Sequence, residues 1–205
     1  MHQESKKGPI LENISKFVTQ LFSENLPTWA VYHDLQHTIE TVDGCVEIGK
    51  GSGITNEDLE ILCIAAWFHD TGYMFNVEEH EEKSSEIALK FLNKNSYPLD
   101  RINRVSDCII ATKISITPQN LLESIICDAD LISLGRPDYF EKNDLLKLEI
   151  ERRENKKINE LAWLKRSLNF LSSHNYFTEY ARLNLGSQLK SNLIILRENI
   201  DKYYQ

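Results

Sequence analysis

Apolar residues recur every three or four positions in almost every segment of this chain, which is the repeat of one face of an α-helix. Ile10, Ile14, Phe17, Val18 and Leu21 form one such stripe behind Pro9, a residue suited to the first helical turn. Leu35, Ile39, Val42 and Val46 form the next, which GKGSG ends. Thr55 and Asp58 make a capping-box-like start for DLEILCIAAWFHD, a segment apolar nearly all round and therefore expected at the centre. Thr71-Gly72 closes that segment. Further helical patterns run through EEHEEKSSEIALKFLNK, PLDRINRVSDCIIATK, NLLESIICDADLISLG, DYFEKNDLLKLEIERR, INELAWLKRSLNFLSS and TEYARLNLGSQLKSNLIILRENIDKYY. No run alternates β-branched residues, and there is no internal repeat or low-complexity linker. The expectation is an all-α fold, a single-domain bundle of about nine helices over residues 1–205. Its last helix, near 178–204, should pack on the rest. Ala181, Leu183 and Leu185 sit too close together for one stripe, so two faces of that helix are expected to be covered.

Several functions are excluded by charge and patterning. The net charge of −8 argues against nucleic acid as a partner, because backbone binding needs clustered Lys and Arg. The basic run ERRENKK is interleaved with acids and reads as a solvated helix face. No stretch approaches the ~18 apolar residues of a membrane span. MHQESKKGPILENI has no apolar run before the first helix, so no signal peptide is expected. Cys45, Cys63, Cys108 and Cys127 lie far apart in apolar segments without a C-x-x-C pair, as core thiols of a cytoplasmic protein would.

Against this ordinary background the histidines stand out. Of six in the chain, His33, His37, His69 and His80 lie among carboxylates in the first 80 residues. His33 and His37 are four apart, which on a helix places both on one face, opposite the Leu35–Ile39–Val42–Val46 stripe. Thr41 and Gly44 continue that face, so one side of the helix would pack on a core and the other line a cleft. His69-Asp70 ends the most apolar helix, where the loosening backbone lets both side chains reach one ion. A buried carboxylate costs several kcal/mol unless a cation or donors compensate it. Asp128 and Asp130, in SIICDADLISLG, point ~200° apart around a helix, so only one can face the same ion. Hydrophobic spacing leaves open which, and a buried acid there calls for a nearby cation.

These residues, in the order H…HD…D on separate helices, resemble the HD-domain superfamily of metal-dependent phosphohydrolases. YHDLQHT is similar to the Y-H-x-L-Q-H opening of a predicted HD phosphohydrolase subfamily. AAWFHDTGY, EEKSSEIA, IIATK, DADLISLG and EYARLNL follow its pattern in order, over about residues 28–188. The resemblance implies His37, His69, Asp70 and Asp130 as metal ligands, Asp130 being preferred as the aspartate of an A-D-L triplet. It implies that His33 protonates the leaving oxygen, as in the cyclic-nucleotide phosphodiesterase branch. Two imidazoles and two carboxylates suit one Mn²⁺, Mg²⁺, Fe²⁺ or Co²⁺ ion, which activates water and polarises a phosphoryl oxygen.

Two-metal members of the superfamily carry further histidines. His80 stands where the first would be, but Ile114 and Ser115 occupy the place of the second. One ion per chain is therefore expected, with His80 beside the ligands or against substrate phosphate. Lys113 and Arg136 are the cations nearest the site in sequence and are candidates to meet that phosphate. The expected catalytic group is thus His33, Asp70, His80 and Lys113, acting on a small phosphorylated metabolite or nucleotide. The alternatives are a cyclic or linear nucleotide phosphodiesterase, and a metal- or nucleotide-binding sensor module without turnover.

Overall fold

The computed structural model describes residues 9–204, so the polar N-terminal stretch read for a signal peptide lies mostly outside the described residues. Among those residues there are nine α-helices and no strand. They are α1 (Pro9–Asn25), α2 (Leu35–Gly51), α3 (Asn56–Phe68), α4 (His80–Lys94) and α5 (Leu99–Ala111), then α6 (Leu121–Asp130), α7 (Tyr139–Glu154), α8 (Glu160–Ser173) and α9 (Glu179–Asp201). A short 3-10 turn, Ile132–Gly135, follows α6, and a second, Lys202–Tyr204, ends the described chain. No described helix is long and apolar enough to cross a membrane.

α3 is the axis of the bundle. Thr55 starts it by accepting a hydrogen bond from the Asp58 amide at 3.1 Å. Ile61, Leu62, Ile64, Ala65, Ala66 and Phe68 are then wholly buried, against α1, α2, α5 and α6. Each large side chain of this kind contributes roughly 1.5–3 kcal/mol by leaving water. Truncating Leu62 to alanine should cost about 2–5 kcal/mol. All four cysteines are buried and none is in a disulfide.

Two glycines allow the approaches that bring the ends of helices together. A Cβ on Gly44 of α2 would lie 3.2 Å from the Ala129 Cβ of α6, so α2 and α6 nearly touch and Asp130 arrives beside His37. A Cβ on Gly72 would meet the His80 carbonyl oxygen at 2.2 Å, and the Gly72 amide donates to Ser84 Oγ at 2.8 Å. The turn after α3 therefore sits on the first turn of α4, which sets His80 over Asp70.

The structure corrects three readings of the helix faces. His33 is not on α2: Asp34 is the N-cap, in extended backbone, and its Oδ1 accepts from the His37 amide at 2.9 Å. The buried face of α2 is His37, Thr41, Gly44, Cys45 and Ile48, whereas Leu35, Ile39 and Val46 are only half-buried. The histidine face is thus the core face, because α6 closes over it. On α9 only one stripe is covered, through Ala181, Leu185, Leu189, Leu196 and Ile200, and Leu183 stays 74% exposed.

Candidate active site

Three helix ends meet at the floor of a cleft of about 560 Å³. His37 comes from the first turn of α2, His69 and Asp70 from the end of α3, and Asp130 from the last residue of α6. His37 Nε2 lies 3.0 Å from Asp130 Oδ1 and 3.4 Å from Asp70 Oδ2. His69 Nε2 lies 3.1 Å from Asp70 Oδ2, 3.4 Å from Asp130 Oδ1 and 3.4 Å from His37 Nε2. Because His69 Nδ1–H donates to the Ala66 carbonyl at 2.8 Å, its Nε2 is left to face the other three.

Burial opposes every charge in this cluster, and the partners outweigh it. The His37 imidazole is pushed down by desolvation but raised more by Asp130 and Asp70, to about 9. Desolvation likewise lowers His69, and the charge on Asp70 with hydrogen bonds to Asp130 and Asp70 lifts it well above its ordinary value. Burial would raise Asp70, yet charge on His69 and contacts from both imidazoles hold it well below the carboxylate range. The same imidazoles hold Asp130 low against its desolvation. Two buried carboxylates thus demand positive charge beside them.

A divalent cation fits this demand. The donor atoms of His37, His69 and Asp70 lie within 4.8 Å of one another, a spacing one ion can span. Asp70 Oδ2 is buried and accepts no well-aligned hydrogen bond, although His69 Nε2 is close. An acceptor left in that state is costly, and an ion would satisfy it.

Asp128 is not part of this cluster. It is fully buried, and it accepts from the Phe177 and Thr178 amides at 2.8 Å each and from Thr178 Oγ1 at 2.7 Å. Backbone and hydroxyl donors therefore compensate this acid where a cation was expected, and they dock the start of α9 onto α6. Burial still pushes its carboxyl above the ordinary value.

His33 lines the same cleft from the loop before α2. Its position is set by Glu149 of α7, a wholly buried carboxylate that pattern reading missed. Glu149 Oε2 accepts from the amides of Val31, Tyr32 and His33 at 3.0, 2.8 and 3.0 Å. Its Oε1 accepts from Tyr73 Oη at 2.8 Å and from His33 Nδ1 at 2.5 Å. A carboxylate only accepts, so His33 carries a proton on Nδ1 and turns Nε2 outward. The Tyr73 ring stacks on the imidazole with centroids 4.2 Å apart. Burial would raise Glu149, but its hydrogen bond with His33 and the backbone donors bring it down to about 2.

The remaining candidates divide. His80 is at the cluster, its Nε2 3.6 Å from Asp70 Oδ1, and its Nδ1 bonds to the Val77 carbonyl at 2.9 Å. Lys113 is not turned to the cleft: its ammonium pairs with Glu82 at 2.5 Å, and its neighbours Thr112 and Ile114 line the cleft instead. Arg136 pairs with Glu47 and is likewise not a lining residue. The cations that do line the cleft are Lys142 and Arg166, far away in sequence. Ile114, 80% exposed, lines it as well.

Fold and site together define an all-helical protein built round a buried His/Asp cluster of a kind that can hold a metal ion. The family model for the HD domain matches residues 20–135, more than half of the sequence, and this chain belongs to the HD domain family. That family is one of metal-dependent phosphohydrolases. No curated protein and no solved structure matches the chain.

Proposed function

We propose that this protein hydrolyses the phosphoester bond of a small phosphorylated metabolite or nucleotide, using one divalent ion held by His37, His69, Asp70 and Asp130. The observation that carries the reading is the meeting of those four side chains beside a histidine already fixed by a buried glutamate. When bound, the ion supplies an activated water and positive charge against the phosphoryl oxygens.

The protein's own groups do the rest. His33 Nε2 gives a proton to the leaving oxygen, and Glu149 stabilises the imidazolium that carries it. Asp70 Oδ1, the oxygen turned toward His80 while Oδ2 faces the other ligands, is the acceptor in reach for the proton lost by water. His80 Nε2 stands near Asp70 Oδ1 and is available to a phosphoryl oxygen. A cleft of about 560 Å³ has room for a sugar phosphate or a nucleotide.

The test is turnover by Mn²⁺-loaded protein across phosphomonoesters, nucleotides, and cyclic and linear diesters, with His37→Ala as control. Turnover of diesters alone would select the phosphodiesterase reading, which the poised His33 favours. Metal binding with no turnover of any ester would reject hydrolysis and leave a sensor.

A further inference from the structure

The metal cluster occupies only one end of the cleft. The other wall is built by α7 and α8, which lie beyond the residues matched by the family model. Trp163 lines that wall and is only 2% exposed, yet its indole N–H is buried without an acceptor. A donor left this way costs about 1–3 kcal/mol unless something arrives to accept from it. Beside it, Ser167 Oγ donates to Asn143 Oδ1 at 3.0 Å, which commits the oxygen of Asn143 and leaves its NH₂ as a donor. Arg166 lies over the Trp163 ring, 5.4 Å from its centroid, and has no carboxylate partner among the described residues. Lys142, the other lining cation, is already neutralised by Glu40 at 2.6 Å.

The Trp163 indole N–H, the Asn143 NH₂ and the Arg166 guanidinium are thus uncommitted donors on this wall, and one of them is a cation. We propose that the α7–α8 wall is a second binding subsite, which takes an oxyanion at the far end of the substrate, either a carboxylate or a second phosphate. Arg166 and Trp163 are its specificity-determining residues. Asn143 and Glu149 are six residues apart on α7, so the subsite and the carboxylate holding His33 stand about 9 Å apart along the helix. A six-carbon chain with an anion at each end spans such a distance. The assignment of the opposite end to a phosphoester rests on the function proposed above.

Calorimetric titration of the Mn²⁺-loaded full chain with matched pairs tests this. One pair is 6-phosphogluconate against sorbitol 6-phosphate, and the other is fructose 1,6-bisphosphate against fructose 6-phosphate. In at least one pair the two-anion ligand should bind about tenfold more tightly, as a guanidinium–oxyanion contact provides. The pair with the larger ratio tells carboxylate from phosphate. Arg166→Gln, at an exposed position, should bring that ratio close to one, and Trp163→Phe should reduce it while keeping the ring. Equal affinities within both pairs, failure of all four ligands to bind, or a ratio that survives Arg166→Gln would each overturn the subsite. Turnover of the same ligands is scored separately: a retained ratio without hydrolysis supports the subsite and rejects only the phosphohydrolase reading.

Discussion

Replacing Glu149 with glutamine removes one charge and changes almost no volume, so its effects isolate what the carboxylate does. Glu149 accepts from three backbone amides, Tyr73 and His33. Glutamine can keep an oxygen toward the three amides only by turning its NH₂ toward His33 Nδ1. The imidazole must then give up its Nδ1 proton, and it can no longer be held as a charged acid. The stability contribution follows from the lowered pKa of the Glu149 carboxyl, from the ordinary 4.5 down to about 2. At about 1.4 kcal/mol per tenfold step, that difference contributes about 3 kcal/mol at neutral pH. Because the folded-state value is the lower one, the contribution is complete above 4.5 and is lost as pH falls through 2. Urea unfolding should therefore find Glu149→Gln less stable by about 3 kcal/mol at pH 7, with the gap narrowing steadily below pH 4.5. The kcat for an alkyl phosphate should fall by about 10²-fold, the lower range for general acid catalysis. With nitrophenyl phosphate the fall should be much smaller, since that leaving group hardly needs a proton. A merely structural glutamate would give equal losses on both substrates. That result, or a stability gap that ignores pH, would refute the positioning argument.

The ligands and their setting give further expectations. Elemental analysis should find about one divalent ion per chain, and two full sites ~3.5–4 Å apart would contradict this. His69→Ala and Asp70→Ala should each abolish metal binding and turnover with helix content by circular dichroism intact; turnover in metal-free Asp70→Ala would reject the assignment. His37→Asn should lose metal affinity and fail on every substrate, whereas His33→Asn should keep the ion and lose about 10²–10⁴-fold in kcat, chiefly on poor leaving groups. Gly44→Leu should push α2 from Ala129 and weaken metal binding by parting His37 from Asp130, which metal titration would show.

Much of this was legible in the chain because its signals are local. The helices follow from apolar spacing and from caps such as Thr55, whose partner is three residues away. His69-Asp70 could be picked out because ionisable groups at the end of an apolar helix must find compensation, whereas Asp130 was separated from Asp128 only by the resemblance of its A-D-L triplet. The fate of Asp128 was not legible, since its donors belong to Phe177 and Thr178, about fifty residues on. Lys113, within IIATK, was favoured as one of the cations nearest the site in sequence, but nearness along the chain does not fix which way a long side chain turns. Glu149 was passed over beside ERRENKK, which is mostly solvated as read, although Glu151 folds back to accept from the Ile158 amide at 2.8 Å. One local clue to Glu149 was present: an acid set in register with Leu146 and Ile150 on a single helix face.

That face of α7 links the two ends of the cleft. Tyr139, Lys142, Asn143, Leu146 and Ile150 line the cavity at spacings of three and four, and Glu149 shares their side of the helix. The helix that carries the proposed anion subsite therefore also carries the carboxylate that fixes His33. Any shift of α7 along its axis would move both together, by about 1.5 Å for each residue of register. Ser167 ties α7 to α8 through Asn143, and Lys142 ties it to α2 through Glu40. Such ties hold the proposed subsite at a constant distance from His33. A substrate of the right length would meet a formed acid, whereas a shorter one could reach the metal cluster or Arg166 but not both.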